Sequence, residues 1–243
     1  MYEPKFRITP YLLRLSDEAG ALRSWIESAT IKVRWLPQLQ IESRARGAHS
    51  TTLIEGNVLS LRQVEQVARG GHKVGEPRSE AEVRNMLTAM KWVEKHFLEK
   101  IDEKAVLKLH AILLKGLTED GKLGRYKDRQ NYVKNEKGIV ICTPPSPKAA
   151  PGLVRGLIAW LNSRAAEELH SVAVCAIAHH RFVSIHPFSD GNGRLARLLG
   201  TWILYKRGFD TRHRFSLDDH FACDRKFYYD EIEQARELDG DLT

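Results

Sequence analysis

Cysteine is scarce in this sequence: three residues in 243, Cys142, Cys175 and Cys223, widely spaced and with no CxxC pair. Such spacing supports neither a disulfide framework nor a zinc site, and reduced thiols in a core are the expectation. No apolar run reaches membrane-spanning length, so no contact with a membrane is expected. The opening residues, MYEPKFRITPYLLRL, lack the charged start, unbroken apolar stretch and small-residue cleavage site of a secretory signal, which makes a cytoplasmic location the default. Internal repeats and low-complexity tracts are missing as well, and strand-forming runs are confined to one short region.

What is present suits an ordinary globular chain. With 42% hydrophobic residues the sequence can bury a substantial core, in one domain or two small ones. The net charge of +7 would attract polyphosphates, acidic partners or nucleic acid alike. Because Lys and Arg are scattered, with no basic tail or stripe, the charge does not choose among them.

Gly and Pro divide the chain into segments of helical periodicity. Apolar residues Leu12, Leu13, Leu15, Leu22, Trp25, Ile26, Ile31 and Val33 recur among charges over residues 9–45, as in amphipathic helices. Gly56 is placed to end a helix, and GGHKVGEP, residues 70–77, reads as a linker. Ser79 and Glu82 then form a capping-box pattern before Val83, Met86, Met90, Val93 and Phe97. A helix is predicted from an Asp102 cap to a stop at Gly116, with Val106, Leu109, Ile112 and Leu113 inward. Further helices are predicted over Pro151–Ser163, Ser171–Phe182, the run LARLLGTWILYKR up to Gly208, and Asp218–Leu238. Tyr132–Val133 and Ile139–Cys142, on either side of Asn135-Glu136-Lys137-Gly138, read as a β-hairpin. The predicted class is all-α with one short hairpin.

One segment concentrates chemistry: HPFSDGNGRLAR, His186 to Arg197. Its Gly-Asn-Gly loop opens directly into a helix, whose first N–H groups lack intrahelical partners and whose dipole favours an anion. Arg194 and Arg197, three residues apart, share one side of that helix and offer guanidinium forks to phosphate oxygens. Asp190 supplies the hard oxygen by which Mg²⁺ is held beside substrate phosphates. His186 has a side chain suited to taking a proton from a hydroxyl near neutral pH. Taken singly, each feature also fits a turn, a core histidine or a solvated helix face. Together within twelve residues they point to nucleotidyl or phosphoryl transfer. Phe188 is read as the loop's core anchor.

The same segment resembles the Fic-domain signature HPFxDGNGRxxR at every specified position. GRYKDRQNYV, CTPPSP, LIAWLNS, AHHRFVSIHPF and DRKFYYDEIEQAREL are similar to further family segments, so the resemblance spans roughly residues 79–238. It implies a mostly helical Fic fold, with a catalytic core over 79–210, a linker at 71–78, an N-terminal helical region over 1–70, and a C-terminal helical segment over 211–243. The chain ends at GDLT, where family members usually continue, which suggests a short or truncated form.

By this resemblance the protein is expected to be an adenylyltransferase. His186 would deprotonate a Ser, Thr or Tyr hydroxyl of a target protein, which attacks the α-phosphate of ATP. Asp190 would hold Mg²⁺, and Gly191, Asn192 and Gly193 would cradle the phosphates. Arg194 and Arg197 would neutralise them, with Arg197 nearest the γ-phosphate. Lysine stands at the place of Gly193 in the family's kinase-like branch, so Gly193 favours AMP transfer. The hairpin, with Ile139, Val140, Ile141 and Cys142, corresponds to the family's flap over the nucleotide and would pair with a target strand; an idle surface hairpin is the alternative. Tyr228 and Tyr229 are similar to a family pair that walls the adenine pocket, with packing as the other role open to them. A homodimer is a further expected partner.

TTLIEGN resembles the family's inhibitory motif (S/T)xxxE(G/N), with Thr51, Glu55 and Gly56 in place on a helix at about 46–57. The resemblance implies that Glu55 pairs with Arg197 and blocks productive ATP binding, since one guanidinium fork cannot hold a carboxylate and a phosphate together. Three alternatives stay open: removal of AMP or use of another donor; a nucleic-acid-binding regulator, for which no helix-turn-helix or aromatic-basic stripe is found; and a metal hydrolase built on His179, His180, His186 and Asp190. Since His179 and His180 point to opposite sides of a helix, the last is disfavoured and His179 is read as structural.

Overall fold

A computed structural model describes residues 2–28, 33–134, 137–209 and 216–237. Its elements are α1 Pro10–Ser28, α2 Leu36–Ile54, α3 Leu61–Ala68, α4 Pro77–His96, α5 Glu103–Leu114, β1 Val133–Lys134, β2 Val140–Cys142, α6 Ala150–Leu161, α7 Arg164–Glu167, α8 Ser171–Ile185, α9 Asn192–Lys206, α10 Leu217–Cys223 and α11 Arg225–Glu237. The fold is helical, with a two-stranded antiparallel hairpin as the one sheet among the described residues.

The centre is α9 packed along α8. Trp202, Leu195, Leu198 and Leu199 of α9 meet Phe182 and Ile177 of α8, and almost every α9 side chain is buried. Helices α2, α4 and α5 close the other side of α9, contributing Ala45, Ala48, Val83, Met86, Leu109 and Leu113. Because residues before and after 71–78 enter this one core, α3 and α4 pack together across that segment. No described helix is long and apolar enough to cross a membrane.

Helix ends follow their local chemistry. Asp102 caps α5 by accepting from Ala105 N at 2.7 Å. At the end of α2, Gly56 has φ +90°, Gly56 N donates to Leu53 O and Asn57 N donates to Thr52 O, the paired bonds of a glycine-terminated helix. Buried Asn57 then ties this end to α4, donating to Ser79 O at 3.0 Å and Glu82 Oε2 at 2.9 Å.

Several expectations need correction. Helix α4 is capped by Glu76, which accepts from Arg78 N and Ser79 N, and not by Ser79. Pro77 at the first helical position fixes that start, so Ser79 falls inside the helix and Glu82 is free to bind Asn57. The last helix is two: Asp224, at φ −136° and ψ 81°, breaks the run into α10 and α11. Helix α8 continues to Ile185, and α6 ends at Leu161. Helix α1 buries no residue, and Leu13, Leu22 and Trp25 are exposed. Of the thiols only Cys175 is in the core; Cys142 is on the hairpin and Cys223 is exposed. Ile31, Asn135, Glu136 and Leu238 lie outside the described residues, as does the side chain of Val33.

Candidate active site

The loop between α8 and α9 is fixed in shape by its own backbone turns and side chains. His186 ends α8 at φ 47°, a left-handed conformation uncommon for any residue but glycine. Gly191, at φ +76°, caps α9, and a Cβ there would come within 2.5 Å of Leu114 Cδ2. Asn192 staples the loop: its Oδ1 accepts from Phe188 N at 2.9 Å while its Nδ2 donates to Phe188 O at 2.8 Å. Phe188 is buried between Tyr126 and His110, the latter stacked on it at 3.9 Å.

The side chain of Asn192 is therefore consumed by folding, and what the Gly-Asn-Gly loop presents is backbone. The first intrahelical bond of α9 is donated by Leu195 N to Gly191 O, so the N–H groups of Asn192, Gly193 and Arg194 precede the helical ladder. That nest can receive an anion.

His186 Nδ1 donates to Val183 O at 3.2 Å, which places the imidazole hydrogen on Nδ1 and leaves Nε2 with its lone pair. Burial lowers the pKa below the ordinary histidine value, and the nearby Lys127 and Arg236 lower it further against the pull of the Val183 bond and Glu55. The ring is thus neutral and ready to accept a proton at neutral pH.

Asp190 Oδ1 accepts from Gly191 N at 2.5 Å and Arg194 Nη2 at 3.0 Å, and its side chain stays half-exposed. No described hydrogen bond reaches Oδ2. One available carboxylate oxygen beside an anion nest fits Mg²⁺ held between a single carboxylate and phosphate oxygens. Among the described residues no group of three His, Cys, Asp or Glu is arranged to hold a metal without such a ligand.

Arg194 and Arg197 are both buried. Arg194 also faces Glu82 at 3.9 Å. Arg197 donates Nε to Thr51 Oγ1 at 2.7 Å, Nη2 to Thr51 O at 3.0 Å and to Glu55 Oε1 at 2.6 Å, and Nη1 to the Tyr228 hydroxyl at 3.3 Å. Burial alone would lower its pKa, but the charges of Glu55 and Asp218 beside it outweigh that and raise it. Gly193 makes the contact sterically feasible: a Cβ there would stand 2.3 Å from Glu55 Oε1. Thr51, Glu55, Gly193 and Arg197, up to 146 positions apart in sequence, thus meet at one point.

His179 lies behind this cluster. Its Nε2 accepts from the Tyr228 hydroxyl at 2.9 Å, so that nitrogen is engaged within the protein, and burial lowers the pKa of the ring to about 4. Tyr229 is partly exposed beside Tyr228, ring centroids 5.1 Å apart, and burial pushes its hydroxyl up to about 12.

The hairpin is attached to the loop at its root. Asn131 Nδ2 donates to His186 O at 3.2 Å and Phe188 O at 2.9 Å, and Gln130 Nε2 donates to Pro144 O at 2.8 Å. Val133 pairs with Cys142 and Lys134 with Val140, so Ile141 is the extra residue of a bulge. Ile139, Val140 and Ile141 are exposed.

Four supporting residues escaped the sequence reading. His110 donates Nε2 to Asp190 O at 3.2 Å and accepts Gly124 N on Nδ1; burial lowers its pKa to about 4. Asn131, buried Lys127 and buried Asp218 are the others. Their signals were a histidine at a core-facing position of α5, polar residues in the quoted GRYKDRQNYV, and an aspartate opening a helix, each too common to stand out.

Residues 100–204 match the model of the Fic/DOC family. The chain is 34% identical over 205 residues to protein adenylyltransferase Fic of Drosophila grimshawi, covering 82% of this chain and 40% of that protein. The namesake of Drosophila yakuba is 34% identical over 163 residues, 64% of this chain and 31% of its own length. The chain thus spans less than half the length of these curated relatives. Among solved structures, a Fic family protein from Desulfovibrio desulfuricans superposes with TM-score 0.88 at 28% identity, over 100% of this chain and 71% of that one. Residues 134–508 of Fic-1 from C. elegans superpose with TM-score 0.75 at 27% identity, over 95% of this chain and 65% of that one.

Proposed function

The chain belongs to the Fic/DOC family, and on that premise we propose that it is a protein adenylyltransferase held inactive by Glu55. The observation that carries this reading is the 2.6 Å bond from Arg197 to Glu55, made in the space that Gly193 leaves open beside the anion nest.

In the active form ATP lies with its phosphates on the N–H groups of Asn192, Gly193 and Arg194, and Arg197 receives the γ-phosphate in place of Glu55. The exchange is competitive because both acceptors need the same guanidinium edge. Asp190 would hold Mg²⁺ beside the phosphates, where the ion would supply neutralisation of charge on the leaving group. The target protein docks along the exposed edge of β2 and presents a Ser, Thr or Tyr hydroxyl. Nε2 of His186 accepts its proton, the oxygen forms a bond to the α-phosphorus, and the bond to the bridging oxygen breaks to release pyrophosphate. Tyr229, beside Tyr228, would border the base.

The test is labelling by wild type, Glu55→Gly and Glu55→Gly/His186→Ala with Mg²⁺ and ATP labelled separately on the α- and γ-phosphate. Incorporation of α-label by Glu55→Gly alone is the expected result. Incorporation of γ-label would replace the reading with a kinase, and equal labelling by wild type and Glu55→Gly would remove the brake.

A further inference from the structure

Arg197 is gripped from two directions by different parts of the chain. Thr51 and Glu55, at the end of α2, hold Nε and Nη2. From behind, Tyr228 of α11 holds Nη1, and Asp218 of α10 lies with Oδ1 3.5 Å from Nε. The Asp218 side chain is 4% exposed, so its carboxylate is out of reach of solvent. Its Oδ2 accepts from Ser216 Oγ at 3.4 Å, whereas its Oδ1 makes no hydrogen bond within the described residues.

A buried carboxylate oxygen beside a guanidinium, with no donor of its own, needs an explanation. The single Nε–H is aimed at Thr51 Oγ1, 2.7 Å away, leaving Asp218 an ion pair with Arg197 and no Nε proton, while the nearby Thr51 hydroxyl helps to hold its pKa down. Burial pushes the Asp218 carboxyl up to about 6 despite Arg197, as expected for a group incompletely compensated in this arrangement.

Thr51 and Glu55 belong to one helix end, so a movement of that end which frees Arg197 from Glu55 takes Thr51 with it. A buried guanidinium would then keep one hydrogen bond, to the neutral Tyr228 hydroxyl, beside its ion pair with Asp218. We propose that Asp218 is the positioning residue of the released enzyme: its Oδ1 accepts the Nε–H that Thr51 gives up, and so keeps the guanidinium of Arg197 turned toward the terminal phosphate. The inference rests on the reading of Arg197 as the γ-phosphate residue. The other titratable groups at this point are Glu55, Asp219, Tyr228, Tyr229, His179 and the buried Cys175. Asp219 is engaged elsewhere, with Ser50 and Arg46.

The hand-over is tested by calorimetric binding of ATP and ADP with Mg²⁺ in two backgrounds. In Glu55→Gly, where Thr51 still holds Nε, Asp218→Ala should change ATP affinity less than about threefold. In Thr51→Ala/Glu55→Gly, Asp218→Ala should weaken ATP by about tenfold, the scale of a hydrogen bond to a charged group, and leave ADP within about twofold. On top of Arg197→Ala it should add nothing, because the two residues act as one unit. Asp218→Asn, which preserves volume and an acceptor oxygen, should lose less than alanine and serves where alanine does not fold. An ATP preference that survives Asp218→Ala in the double background, or equal losses for ATP and ADP, overturns the role of Asp218. If the double background binds ATP no better than ADP, the reading of Arg197 falls first, and the role of Asp218 with it.

Discussion

His186 shows how one backbone choice sets the chemistry of a residue. Its left-handed conformation ends α8 and turns Nδ1 onto Val183 O, so the tautomer is fixed and Nε2 becomes the basic nitrogen. Burial keeps the ring neutral to lower pH than usual. A general base works in its neutral form, so activity is present above the pKa of the ring and lost as pH falls through it. In the Glu55→Gly form the acid limb of the rate profile should therefore lie below the ordinary imidazole value of about 6.5. His186→Ala should remove about 10²–10⁴ of the rate while nucleotide affinity stays within about twofold. An acid limb above 6.5, or an unchanged rate in the alanine variant, would take the base role away from His186. The residues of this site were legible wherever the chemistry is local: His186, Asp190, Gly191, Gly193 and Arg197 stand in one short segment whose spacing already describes a helix-opening anion loop. Asn192 was legible as a member but not in its role, because its amide closes the loop on Phe188 and only coordinates reveal that closure. Asp218 and His110 were illegible, since each meets its partner only through the packing of separate helices.

Among the elements, the hairpin depends least on the core and most on its anchorage. Two short strands alone are marginal in water, and here Asn131 fastens their root to the loop that carries His186. Ile141, the extra residue of the bulge, has no register partner among the described residues of β1, and proline there would remove a donor and distort the edge that an added strand would use. Ile141→Pro in the Glu55→Gly form should cut transfer of α-label to proteins by about tenfold or more, with ATP affinity unchanged. Labelling that persists at full rate would remove strand pairing from the account of target docking. The hairpin was readable from its β-prone runs and the glycine at 138, and α5 from its Asp102 cap. The break at Asp224 was not, because α10 and α11 share a continuous helical pattern and the kink is set by how α10 lies on α2: Ser50 bonds Asp219, and Gly47 meets Ser216. For α1 the apolar spacing forecast a buried face, yet Leu13, Leu22 and Trp25 are exposed. Periodicity records that a helix has an apolar side without recording what covers it.

For the molecule as a whole, the proposed brake and the proposed catalytic site draw on the same cation, so stability and activity should oppose one another. Removing one partner of a fully buried ion pair typically costs about 3–5 kcal/mol. Glu55 is partly exposed, and Arg197 retains Thr51, Asp218 and Tyr228 when Glu55 is gone, so the cost here should be smaller, about 1–3 kcal/mol. At roughly 2–4 °C per kcal/mol for a chain of this size, Glu55→Gly should melt several degrees below wild type in the absence of nucleotide. Nucleotide should reverse the order of response. A ligand that binds only the folded state stabilises it by about 2.7 kcal/mol at one hundred times its Kd, and on the proposed reading the variant whose Arg197 lacks Glu55 should have the lower Kd for ATP. With Mg²⁺ and ATP at one fixed concentration, the melting temperature of Glu55→Gly should rise by more than that of wild type, while ADP, which has no γ-phosphate, should shift both alike. Equal ATP shifts in the two forms would mean that Glu55 and the nucleotide do not compete for Arg197. In that case the contact between α2 and α9 would be a structural pair only.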